Sequence, residues 1–103
     1  MLTDITLSAI EFICLHLREA DREEIFGLLA TDSPLELAWV AFGQMRNNGR
    51  ARIAWHAGRP AAWIGLIEER PGIFQITMAG TDDLPKVAFE CLRWLRENIP
   101  DLT

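Results

Sequence analysis

Apolar residues at Ile10, Ile13, Cys14 and Leu17 recur at the i, i+3, i+4, i+7 spacing of one helix face. Ser8 with Glu11 has the hydroxyl and the acid of a capping box, so a short amphipathic helix is expected from there. Asp21 with Glu24 repeats that signature ahead of Ile25, Leu28 and Leu29, which predicts a second helix. The start signal at Ser33-Pro34-Leu35-Glu36 is stronger, because it combines an N-cap hydroxyl, a proline at the first helical position and an acid at the third. The third helix is expected to carry Leu35, Ala38, Trp39, Phe42 and Met45 on one side and to end at Arg46-Asn47-Asn48-Gly49, where Asn and Gly tolerate the left-handed conformation.

The period then changes from 3.6 to 2. Ala51 to His56, Ala61 to Ile67 and Ile73 to Ala79 have strand length, and Ala57-Gly58-Arg59-Pro60 and Glu68 to Gly72 have turn composition, so three strands form an antiparallel meander. After Gly80-Thr81-Asp82-Asp83, the positions Val87, Cys91, Trp94 and Leu95 return to helical spacing, with Asp82 or Asp83 as N-cap and Pro85 in the first turn. The fold class is therefore α+β: N-terminal helices, a three-stranded antiparallel meander and a C-terminal helix packed on the sheet. With no repeat or linker, residues 1–103 form a single domain.

Half of the residues are apolar, with four Trp and five Phe, which suffices for one core. No apolar run approaches the roughly 18 residues of a membrane span, and Met1-Leu2-Thr3-Asp4 lacks a basic leader, so a soluble, unexported chain without a membrane partner is expected. Ten basic against fifteen acidic residues leave a net charge of -5, which repels phosphate backbones and argues against nucleic acid. Cys14 and Cys91 stand far apart among apolar residues without a CxxC or a Cys/His cluster; two reduced core thiols and no metal site follow.

Two stretches resemble a known family. Leu17-Arg18-Glu19-Ala20-Asp21-Arg22-Glu23-Glu24-Ile25 resembles the R-x-x-D-x-x-E-I opening of small phage proteins related to the podophage internal virion proteins. Gly58-Arg59-Pro60-Ala61-Ala62-Trp63-Ile64-Gly65-Leu66, then Pro71-Gly72 and Gly80-Thr81-Asp82, resemble that family's G-x-P-x-x-x-x-G hairpin and G/A-T-D strand end. The resemblance covers roughly residues 6 to 97 and implies the first half of an N-acyltransferase (GNAT) fold, reused in a virion or accessory protein without established chemistry. It also implies a place in the virion or the host cytoplasm.

A fold does not confer an activity, so the chemistry is argued from residues. An acyltransferase of this fold holds the coenzyme A pyrophosphate on backbone N–H groups of a glycine-rich turn before a helix, here Gly80 to Asp83. That turn has one glycine, lacks the Q/R-x-x-G-x-G/A pattern and sets Asp82 and Asp83 where phosphates would sit, each costing on the order of 1 to 4 kcal/mol at about 4 Å. No cofactor is expected, and the enzyme reading, a small acetyl-CoA-dependent N-acyltransferase, is the alternative. His56 at a strand end is the one general-base candidate near neutral pH, ahead of His16 on a helix flank, but no nucleophile accompanies it. Glu68 and Glu69 are adjacent strand residues that point to opposite faces, which suits a solvated turn better than paired acid/base work.

What remains points to protein contacts. Trp39, Trp55, Trp63, Trp94, Phe74 and Phe89 are core residues by default, yet apolar neighbours such as Ile53 and Ile64 suggest that both sheet faces are covered, one of them by another subunit. Arg46, Arg50, Arg52, Arg59 and Arg70 gather near the sheet ends, a composition favoured at interfaces. The expected interface residues are Trp55, Trp63, Arg52 and Arg59, and the expected partners are other phage proteins, a further copy of the chain, or a host protein that it inhibits.

Overall fold

In chain order the elements are β1 (Leu2–Asp4), α1 (Leu7–Leu15), α2 (Glu19–Leu29), α3 (Pro34–Asn48), β2 (Gly49–His56), β3 (Arg59–Arg70), β4 (Ile73–Gly80) and α4 (Leu84–Asn98). The computed structural model describes residues 1–29 and 33–99, apart from the side chains of residues 25–29 and of Asn48. The apolar face expected at Ile25, Leu28 and Leu29 lies outside the described side chains. The chain is α+β, and among the described residues all four strands form one antiparallel sheet in the order β1-β2-β3-β4. The meander is thus one strand larger than expected. Leu2, Thr3 and Asp4 pair with Ala54, Ile53 and Arg52, and three residues are too few to show a period of two.

Strand β3 explains the layering. Ala61 to Leu66 are all buried, apolar on both faces, so both sides of the sheet must be covered. On one face Trp63, Ile53 and Ala79 meet Ile10, Ile13 and Cys14 of α1 and Leu37, Ala38 and Met45 of α3. On the other, Ala62, Ile64, Leu66 and Ala54 meet Val87, Cys91, Trp94 and Leu95 of α4, the stripe that the sequence predicts. Cys14 and Cys91 therefore occupy separate cores on opposite sides of the sheet, both as free thiols.

Several local expectations shift. The N-cap of α1 is Thr6, whose Oγ1 accepts from the Ala9 N–H at 3.2 Å, because the helix starts at Leu7 and Ser8 already lies inside it. Helix α2 begins at Glu19, which places Asp21 in its first turn rather than at its cap. Ser33 does cap α3, accepting from the Glu36 N–H at 3.3 Å with Pro34 at the first helical position. The buried side of α3 is Leu37, Ala38 and Met45, one step round from the stripe expected; Leu35 is exposed and Trp39 stands 65% exposed. Ala57 (φ 52°) and Gly58 form a two-residue turn between β2 and β3, tighter than the four-residue turn read from the sequence.

Gly49, expected in the left-handed region, is extended (φ -167°). Its glycine is required by close approach instead, since a Cβ there would overlap the Leu66 carbonyl oxygen on β3. Gly49→Ala forces β2 away from β3 and is expected to lower stability by about 1–3 kcal/mol in urea unfolding; an unchanged midpoint contradicts this account of the junction.

Candidate functional site

The corner where β4 ends and α4 begins is the best-organised polar region of the molecule. It starts at Arg18, just after α1, whose guanidinium grips Asp21 through Nε at 3.1 Å and Nη2 at 2.9 Å. The buried Asp21 carboxylate also accepts the Gly80 N–H at 3.0 Å, and the Arg18 N–H donates to the Gly80 carbonyl at 2.9 Å. Both backbone groups of Gly80 are thereby tied to the α1–α2 connection. The hydrogen bond from Arg18 to Asp21 outweighs desolvation and raises the guanidinium pKa further above its ordinary value. A Cβ on Gly80 would meet the Ala61 carbonyl oxygen and the Leu84 side chain, so the corner closes only around glycine.

The next turn satisfies its own amides. The Thr81 N–H donates to Ala61 O at 2.9 Å, the Asp83 N–H to Thr81 Oγ1 at 3.1 Å, the Leu84 N–H to Thr81 O at 3.0 Å and the Lys86 N–H to Asp83 O at 3.0 Å. Pro85 has no N–H, which leaves that of Asp82. Asp83 stands at the N-cap position of α4 but makes no side-chain cap, because its backbone is already helical and the Thr81 hydroxyl takes that role. Its carboxylate faces Arg59 at 3.4 Å and Lys86 at 3.3 Å. An open groove beside this turn is lined by Phe12, His16, Leu17, Arg59, Asp82 and Asp83.

The residues picked out from the sequence are not gathered into one place. Trp63 is buried beneath α1 and α3, its Nε1 donating to Thr77 Oγ1 at 3.2 Å. Trp55 is half-buried at the rim of the same core and donates to Thr3 Oγ1 at 2.8 Å. Arg52 pairs with Asp4 at 2.6 Å, while Arg59 lies at the α4 corner. Arg46, stacked over Phe42 at 5.8 Å, stands with Arg50 and Arg70 toward the opposite end of the sheet from Arg59. His16 donates through Nδ1 to Phe12 O at 2.8 Å and stacks on that ring, the work of a helix cap. His56 lies in a separate shallow groove with Lys86, Glu90 and Arg93. Glu68 and Glu69 are exposed at a β-bulge.

Two aromatic side chains expected in the core are outside it: Trp39 on α3 and Phe89 on α4, the latter 86% exposed. Helical spacing alone did not separate them from their buried neighbours, since each lies within one turn of residues that are buried. Among the described residues no cluster of three His, Cys, Asp or Glu side chains could hold a metal, and no helix is long and apolar enough to cross a membrane. The chain matches no protein-family model, no curated protein and no solved structure.

Replacing Asp21 with alanine leaves the Arg18 guanidinium without its partner and the Gly80 N–H without its acceptor, an expected loss of about 2–3 kcal/mol. Asp21→Asn, which keeps an acceptor, is expected to lose less; equal losses contradict the role of the Gly80 bond. Burial, reinforced by Glu11, raises the Cys14 thiol from 9.0 to about 12, and burial with Glu90 raises Cys91 to about 11. Unfolded thiols ionise first, so their contribution to stability is complete below pH 9.0 and is lost as pH rises through about 11 and 12. Both thiols should resist alkylation at neutral pH in the folded protein and react on unfolding; fast native alkylation contradicts their burial.

Proposed function

We propose that this chain is a non-catalytic protein that acts through protein contacts, in the setting that the motif resemblance implies, a phage particle or the cytoplasm of an infected host. The observation that carries the reading is the turn at the head of α4. A pyrophosphate bound to a helix N-terminus needs several free, converging N–H groups. Here the N–H groups of Gly80, Thr81, Asp83, Leu84 and Lys86 already have acceptors, and two carboxylates stand in front. Loading a cofactor at this turn requires breaking the corner that holds β4 to α2.

The reading as the first half of a GNAT fold is supported by the α+β build and by the helix that follows β4, with Gly80 to Asp83 at the turn where that fold binds phosphate. The same geometry supports a fold kept without its chemistry. Trp39 and Phe89 add weight on the side of contacts, because large exposed aromatics are costly in water and are the residue types that anchor interfaces.

Acetyl-CoA titrated into the protein by calorimetry is expected to give no saturable heat at millimolar cofactor. Saturable binding that Asp82→Arg strengthens would overturn the proposal in favour of a small N-acyltransferase.

A further inference from the structure

Strand β4 is an edge of the sheet, and residues 73–80 contain neither a charge nor a proline, the usual devices that keep an edge from pairing. Its alternation is fixed by the bond from the Thr81 N–H to Ala61 O. Stepping back along the paired register, Ala79, Thr77 and Gln75 turn their backbone groups toward β3, whereas Gly80, Met78, Ile76 and Phe74 turn theirs outward. The outward groups of Gly80 are taken by Asp21 and Arg18. Those of Phe74, Ile76 and Met78 have no partner among the described residues.

The same three side chains stand on the α4 face of the sheet. Helix α4 lies across β2 and β3, which leaves Ile76 52% and Met78 38% exposed and Phe74 half-buried. Glu90 of α4 reaches the N-terminal ammonium beside β1, so Leu92, about 200° further round the helix, lies on the β4 side, where it is 51% exposed. An apolar strip and an open row of hydrogen-bonding groups therefore coincide on one edge.

We propose that β4 pairs antiparallel with β4 of a second copy of this chain, on a two-fold axis at Ile76. The inference rests on the protein-contact reading above and names its partner. Ile76 then faces Ile76, Phe74 faces Met78 of the second copy, and every free outward group is used. Sliding the pairing toward α4 sets a strand against Gly80, whose groups are occupied; sliding it the other way runs into the turn at Gly72. Because the strand is uncharged, its own image meets no like charge, and on the other face Gln75 faces Thr77, amide against hydroxyl.

Light scattering across micromolar concentrations is expected to give a species of twice 11.7 kDa. Ile76→Lys sets two ammonium groups against each other across the axis and should weaken association about 100-fold or more, with the circular dichroism of the fold retained at this half-exposed position. Ile76→Cys, about 5.5 Å from its image in this register, should oxidise rapidly to a covalent dimer, whereas Gln75→Cys, beyond about 7 Å from its own image, should not. A monomer at all concentrations, a dimer indifferent to Ile76→Lys, or equal cross-linking of the two cysteine variants overturns the proposal. The protein-contact reading fails separately, on saturable acetyl-CoA binding that Asp82→Arg strengthens.

Discussion

Six consecutive buried residues, Ala61 to Leu66, oblige β3 to be covered on both faces, and the rest of the molecule follows from that constraint. With Ile64 and Leu66 on one side and Trp63 on the other, neither set of side chains can be turned to water without losing on the order of 2 kcal/mol for each large residue. Helices α1 and α3 satisfy one face and α4 the other. A single α4 cannot cover a four-stranded sheet, and since it lies over β3 and β2, the outer strands β1 and β4 are left least covered on that face. Burial at the centre thus determines what is exposed at the edge.

The corner at Gly80 ties this packing to the connection between α1 and α2. The strand end has no β-partner on its outer side, and the Arg18–Asp21 pair supplies one, donor for donor and acceptor for acceptor. The same device fixes the direction in which the chain enters α4 and consumes the amides around the turn. A site suited to holding phosphate needs those groups free and a positive field; this one has them bonded and carries Asp82 and Asp83. The polar groups of this corner are accordingly spent on holding β4, α2 and α4 together.

Much of this was legible in the sequence where local chemistry decides the outcome. Ser33-Pro34 starts α3 through its own hydroxyl and ring, and the stripe Val87, Cys91, Trp94, Leu95 sets the buried side of α4, although the spacing did not show that Phe89 lies off it. Where two apolar rows compete, the phase was lost: α3 holds both Leu35 and Leu37, and packing against α1 chose Leu37. Asp21 was indistinguishable from a helix cap because its acceptor role depends on Gly80, 59 positions away. Strand β1 was too short to announce itself, and Trp63 and Trp55 looked as available to a partner as Trp39. The uncharged run from Ile73 to Gly80 is plain in the sequence, but only the strand order reveals that it is an edge.

Amide hydrogen exchange followed residue by residue along β4 reads the state of the sheet edge itself. In dilute protein the Phe74, Ile76 and Met78 amides are expected to exchange rapidly while those of Gln75, Thr77 and Ala79 are protected, and protection is expected to spread to the first three as concentration rises. Slow exchange at Gln75, Thr77 and Ala79 with persistent fast exchange at Phe74, Ile76 and Met78 at every concentration would rule out pairing at this edge.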